Sequence, residues 1–340
     1  MSSKSCFLIE NPLDLFYLTR LKLSAGHLLV APFETALFVD GRYIEVAQKN
    51  SKQMRVLLAN DKEQKLFVKE QGVTEIFFDS AKTSCEKFWQ LEKLYDLPLK
   101  PRPGLVKKLR AIKTKEEIAK LEKSASLAYA GYQHILGKLK AGVTEKELAL
   151  FFKIFCLEKG AETVSFEPII AFGKNSALPH HQSGETKLKR GDTLLLDLGT
   201  QLEGYASDMT RTHFFGRPDP ELYRLYQVVR ASQKAALALC KPGRKIGDLD
   251  KAARKKMAEA GVESLFVHSL GHGIGLEVHE FPLIKQKGPD ALSFLQEGMA
   301  ITIEPGLYLT GKGGIRYEDT ILITPSGFRN LYPQDSPCEV

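Results

Sequence analysis

An α/β domain followed by a larger α+β domain is the fold class this sequence predicts, and three observations carry the prediction. Short β-type runs alternate with helical ones over roughly the first hundred residues. A proline-rich stretch, Leu97-Pro98-Leu99-Lys100-Pro101-Arg102-Pro103-Gly104, then breaks the alternation. Beyond it, two capped helix pairs are interleaved with β-type runs.

In chain order, residues 28–31, 36–40, 55–59 and 75–79 read as strands, and residues 61–71 and 83–95 as helices. The proline run cannot continue a helix, because each proline lacks an N–H and restricts its predecessor, so it reads as a linker. The domains are accordingly expected at residues 1–112 and 113–340. Thr114-Lys115-Glu116-Glu117 is a capping box, in which the Thr hydroxyl and the Glu carboxylate each satisfy an orphan N–H. It opens a helix expected to run to about residue 139. Thr144-Glu145-Lys146-Glu147 repeats the device, and that helix should stop near Gly160. Residues 193–198, 300–303 and 320–323 are β-type, while residues 220–240 and 246–260 are helical. Segments 115–215 and 220–325 thus share a loose likeness of helices followed by strands.

Composition narrows the functional classes. Hydrophobic residues are 43% and charged residues 26% of the chain, values of a globular protein that exclude disordered and collagen-like classes. No apolar run approaches the roughly 18 residues needed to span a bilayer, and the N-terminus has no secretory pattern, so a cytoplasmic protein is expected. The five cysteines are scattered singly, which suits free thiols better than disulfides or a zinc knuckle. The formal charge is +7, and most of the excess lies in residues 1–112, with 18 basic and 13 acidic side chains. No basic-aromatic motif accompanies it, so neither a nucleic acid nor a membrane partner is expected.

The chemistry-bearing residues fall in the second domain. Asp197 ends the apolar run Leu194-Leu195-Leu196, and Asp208 lies beyond Gly199 and Gly204, as on two arms of a hairpin. Alone, such a pair is more often a strand cap and a turn acid. A second pair alters that balance: Glu304 follows Ile301-Thr302-Ile303, and Glu318 precedes another β-run, again with glycines between. Carboxylates inside apolar strands are costly unless paired or bound to metal. The glycine-rich segment from Leu270 to Glu280 adds an imidazole, from either His272 or His279. Acid-rich ligation with one imidazole suits Mn²⁺ and tolerates Co²⁺ or Zn²⁺. Four acids exceed what one ion needs, so two divalent metal ions sharing a hydroxide are inferred, and the reaction class is hydrolysis.

Asp197 with Asp208, Gly271-His272-Gly273-Ile274-Gly275, Thr302-Ile303-Glu304-Pro305-Gly306 and Arg316-Tyr317-Glu318-Asp319-Thr320 resemble the dinuclear metallopeptidases of the pita-bread fold. That superfamily includes methionine aminopeptidase, aminopeptidase P and prolidase. The resemblance implies metal ligation by Asp197, Asp208, His272, Glu304 and Glu318, with Asp208 and Glu318 bridging. Ala177-Leu178-Pro179-His180, the spacing of His268, His272 and His279, and Arg316 just before Glu318 are similar to the proline-specific branch. Phe38-Val39-Asp40-Gly41-Arg42-Tyr43 resembles the N-terminal domain of creatinase-like enzymes.

What the resemblance implies is a Xaa-Pro aminopeptidase, with a Xaa-Pro dipeptidase as the alternative. A metal-free binding module or a creatinase-type hydrolase on this fold would lack ligands that are all present here. Glu304 is then expected to relay a proton, with His180 and His279 stabilising the oxyanion. His180, His268, His279 and Arg316 are expected to contact substrate, Arg316 by holding a carboxylate or by ordering the site. His181 and His213 are expected to be structural, and Glu277 and Glu280 to be supporting or solvated acids. The resemblance further implies a homodimer.

Overall fold

Residues 4–333 and 338–340 are described in the computed structural model, and they divide into two units, Met1–Arg110 and Ala111–Val340. The first contains β1 (Ser5–Ile9), α1 (Pro12–Thr19), β2 (His27–Val30), β3 (Thr35–Val39), α2 (Ile44–Asn50), β4 (Arg55–Leu58), α3 (Asp61–Glu70), β5 (Glu75–Phe78), α4 (Cys85–Tyr95) and β6 (Leu99–Pro101). Its six strands form one mixed sheet in the order β4-β3-β2-β1-β5-β6. Successive side chains point to opposite faces. Leu29, Ala36 and Phe38 therefore meet Phe67 of α3 and Leu91 of α4, while Leu28, Leu37 and Val39 meet Leu15 of α1 and Ala47 of α2. With both faces covered, these strands read as continuous apolar runs.

Three elements here lay outside the sequence expectation: β1, α1 and α2. The α1 signal was nevertheless present, because Asn11 accepts from the N–H groups of Leu13 and Asp14 and Pro12 opens the helix. The proline-rich linker also needs correction, since Leu99–Pro101 pairs in parallel with β5. An edge strand needs hydrogen bonds on one side only, so the missing N–H of Pro101 is tolerated there.

A short helix, α5 (Lys107–Ala111), leads to α6 (Lys115–Leu136) and α7 (Glu145–Glu158). Both predicted capping boxes form, Thr114 with Glu117 and Thr144 with Glu147. There follow β7 (Thr163–Val164), β8 (Ile169–Phe172), β9 (Thr193–Leu198), β10 (Thr200–Leu202), β11 (Tyr205–Ala206), β12 (Met209–Phe214), α8 (Pro220–Leu237) and α9 (Ile246–Glu259). The chain closes with β13 (Gly271–Gly273), β14 (Glu280–Ile284), β15 (Ala300–Ile303), β16 (Gly306–Leu309), β17 (Gly313–Arg316), β18 (Asp319–Thr324) and β19 (Gly327–Asn330).

The likeness of the two segments becomes architectural. Tyr132, Leu148 and Phe152 of α6 and α7 bury against Leu194 and Leu196 of the sheet β12-β9-β8. Val229, Leu249 and Ala253 of α8 and α9 bury against Ile301 and Ile321 of the sheet β14-β13-β15-β18-β19. An antiparallel bridge between Thr210 and Glu318 joins the two sheets. All five cysteines are free. No helix among the described residues is long and apolar enough to cross a membrane.

Candidate metal centre and active site

The two acidic pairs occupy equivalent places in the two halves. Asp197 is on β9 opposite Thr210, and Asp208 directly precedes β12. The two arms form the hairpin expected, β9 pairing antiparallel with β12 and β10 with β11 nearer the turn. Glu304 directly follows β15 and Glu318 directly precedes β18, with the β16-β17 hairpin between. The Glu318 N–H donates to the Thr210 carbonyl at 3.0 Å, which brings the second pair against the first.

His272 enters on β13, which is squeezed between β14 and β15. A Cβ on Gly271 would lie 2.1 Å from the Thr302 carbonyl oxygen, and one on Gly273 would lie 2.1 Å from that of Phe281. The glycines that flank His272 therefore let it approach. Its Nδ1–H donates to the Gly273 carbonyl at 3.0 Å, which leaves Nε2 directed at the acids. Nε2 lies 3.3 Å from Glu304 Oε1 and 3.7 Å from Asp208 Oδ2.

Ligand atoms of Asp208, His272 and Glu318 all fall within 4.8 Å of one another. Arg316 donates from Nη2 to Asp197 Oδ2 at 2.5 Å, and the Thr210 hydroxyl donates to Glu318 Oε2 at 2.8 Å. Those contacts leave Asp197 Oδ1, Asp208 Oδ1 and Glu318 Oε1 buried with no hydrogen-bond partner. Burial, reinforced by the neighbouring carboxylates, pushes Asp208 and Glu318 well above the usual carboxylate range. Asp197 is also raised by burial, against the pull of Arg316. Burial opposes charge on His272 and Glu304 as well, yet their mutual hydrogen bond holds Glu304 below its ordinary value and raises His272. Orphaned anionic oxygens beside an imidazole Nε2 that can exchange its proton for a metal are a donor set that fits divalent cations.

A cavity of about 510 Å³ opens over these groups, lined also by Phe166, His180, His268, Val278, His279, Leu283 and Arg316. His180 and His279 are exposed to it. His268 donates from Nδ1 to the Ser269 carbonyl and sits 2.8 Å from the Tyr308 hydroxyl, which also accepts from Arg316 Nη1. Burial holds His268 below its ordinary pKa, so it is neutral and Tyr308 donates to it. Arg316 adds donations to the Thr210 hydroxyl and the Pro179 carbonyl. His181 instead bonds Glu145, and His213 bonds Tyr132 inside the core. Glu280 is not solvated: it pairs with Lys113 at 3.2 Å, and both side chains are almost fully buried. Tyr308 and Thr210 escaped the sequence reading, since an aromatic or a threonine in a strand looks like ordinary sheet packing.

The profile of metallopeptidase family M24 matches residues 119–325. The chain belongs to metallopeptidase family M24. Residues 3–112 match the creatinase/prolidase N-terminal domain. The M24 chain is 36% identical over 324 residues to a Xaa-Pro dipeptidase of Pyrococcus furiosus, covering 95% of this chain and 92% of that one. Among solved structures, a Xaa-Pro dipeptidase from Bacillus anthracis superposes with a TM-score of 0.93 at 33% identity, covering 98% and 95% of the two chains. An X-Pro aminopeptidase from Thermotoga maritima superposes with a TM-score of 0.88 at 30% identity, covering 99% and 97%. The fold is therefore the pita-bread fold with a creatinase-type N-terminal domain, and this M24 enzyme is a hydrolase that depends on divalent metal ions.

Proposed function

We propose that this M24 peptidase hydrolyses the bond between an N-terminal residue and a following proline. The observation that carries the reading is the set of buried, partnerless oxygens on Asp197, Asp208 and Glu318 beside His272 Nε2, under a cavity that His180, His268 and His279 line. Asp197, Asp208, His272, Glu304 and Glu318 would hold two divalent ions, with Mn²⁺ preferred and Co²⁺ or Zn²⁺ accepted. Ions bound there supply Lewis acidity, which activates water and polarises a peptide carbonyl.

The remaining chemistry belongs to the chain. Glu304, which faces the cavity and is hydrogen-bonded to His272, takes the proton of the attacking water and delivers it to the departing proline nitrogen. His180 and His279 donate hydrogen bonds to the carbonyl oxygen as negative charge develops on it. Arg316 has already placed four donations on Asp197, Tyr308, Thr210 and Pro179, so ordering the site is the use its contacts serve.

Substrate length divides two readings. A dipeptidase must meet the free carboxylate of its substrate's proline. Arg316 is the one Lys or Arg among the described residues lining the cavity, and four of its five N–H donors are engaged. This favours an aminopeptidase acting on longer peptides, the activity for which the Thermotoga relative is named. The names of the Pyrococcus and Bacillus relatives support the dipeptidase. Assaying Xaa-Pro against Xaa-Pro-Yaa peptides after chelation and Mn²⁺ return separates them. Turnover confined to dipeptides overturns the aminopeptidase reading, and no turnover of either class overturns Xaa-Pro hydrolysis. A homodimer acting in the cytoplasm belongs to the same proposal, and a monomeric sedimentation profile would remove its first half.

A further inference from the structure

Glu145, the first residue of α7, is fully buried yet stands apart from the metal-facing acids. Its Oε1 accepts from the Phe172 N–H at 2.8 Å and from Asn175 Nδ2 at 2.9 Å. Its Oε2 accepts from the Gly184 N–H at 3.0 Å and from His181 Nε2 at 2.8 Å. One carboxylate thus satisfies four donors, all from residues 172–184, and the positive end of the α7 dipole favours its charge. That segment leaves β8, makes a 3₁₀ turn over Gly173–Ala177, and carries His180 into the cavity. From the opposite side, Arg316 Nη1 holds the Pro179 carbonyl at 3.3 Å. The His180 ring itself has no hydrogen bond among the described residues, so its aim comes from the backbone that Glu145, His181 and Arg316 fasten.

We propose that Glu145 and His181 are positioning residues for the hydrolysis: they fasten the strap of residues 172–184 so that His180 faces the reacting carbonyl, and neither touches substrate. The proposal rests on the role given to His180 above. Chemistry explains why a carboxylate is required. A glutamine in its place would offer one acceptor oxygen, and its NH₂ would meet two donors head-on. Because His181 works through its neighbour, its effect should vanish when the neighbour's ring is absent.

The test is a double-mutant cycle on the Mn²⁺-loaded chain with a Xaa-Pro peptide. His181→Ala should lower kcat and kcat/KM together by about tenfold, as expected for a misplaced catalytic group. KM and Mn²⁺ binding by calorimetry should stay unchanged, and His181→Gln, which keeps a donor, should restore most of the rate. Adding His181→Ala to His180→Ala should cost nothing further. A tenfold loss that persists in the His180→Ala background overturns the proposal, as does a wild-type kcat in His181→Ala. A second readout uses the metal-free chain, where the Phe172 and Gly184 amides should exchange faster with solvent in His181→Ala and Glu145→Gln. If the wild type turns over no Xaa-Pro peptide, Xaa-Pro hydrolysis is what fails, and the exchange rates still decide the strap: unchanged protection overturns it.

Discussion

Asp14 and Arg110 in the N-terminal unit lie 2.8 Å apart, each less than a tenth exposed, and neutralise one another. In the C-terminal unit Asp197, Asp208, Glu304 and Glu318 converge with Arg316 and His272 as the facing cations, and three carboxylate oxygens remain without partners. The N-terminal arrangement is what burial of charge requires when folding is the only demand. The C-terminal one is a cost to the fold unless cations arrive, so it marks where function overrides stability. The difference shows that a functional site can be found by its unpaired charge, without reference to shape.

The sharpest way to break this contrast is to delete one acid from each region. Asp208→Ala or Glu318→Ala should abolish peptidase activity, read on any peptide the wild type cleaves. Asp208→Asn should abolish it too, yet raise the Tm of the chelated chain, because it removes a charge that burial and its neighbours disfavour. A fall in metal-free Tm would show that the acids are compensated in some other way. Arg110→Met should do the opposite in the N-terminal unit and cost about 3 kcal/mol in urea unfolding, since it removes the buried cation that faces Asp14.

Acid sharpens the comparison further, because the two regions should respond with opposite signs. His27 Nε2 is buried without a partner, and burial together with the Lys87 charge pushes its pKa down to about 4. The unfolded chain then binds the proton more readily, so the stability His27 contributes is present above about pH 6.5 and is lost as pH falls toward 4. About 2 kcal/mol should disappear over that window, allowing for partial exposure of the ring, and His27→Phe should remove the dependence. Asp208 and Glu318 have raised folded pKa values, so their penalty in the chelated chain is present at neutral pH and is relieved on acidification. Thermal unfolding from pH 7 to 5, with and without Mn²⁺, reads both. The smallest expected effect is that Mn²⁺ raises only the transition of the C-terminal unit, by mass action on its native state. An equal shift in both transitions would mean that the units do not unfold separately.

Local information was the legible part. The capping boxes at Thr114 and Thr144 could be read because cap and acceptor lie three residues apart, and the strands under Asp197 and Glu304 because their apolar runs are contiguous. The edge strand Leu99–Pro101 was hidden, since proline content argues for a linker and only the neighbouring β5 makes a strand of it. His181 carries no signal in the sequence beyond a structural histidine, and its partner Glu145 cannot be read there, since 36 residues separate them.

By itself the sequence determined which side chains could do chemistry here, because carboxylates within apolar strands and a histidine among glycines are chemical facts of composition and order. Tertiary structure alone decided which of them meet. Arg316 faces Asp197 across 119 residues and Thr210 serves Glu318 across 108, distances that strand register and the bridge between two sheets close. Register follows from which face of each strand is buried, a property of the whole packed core and of no single segment.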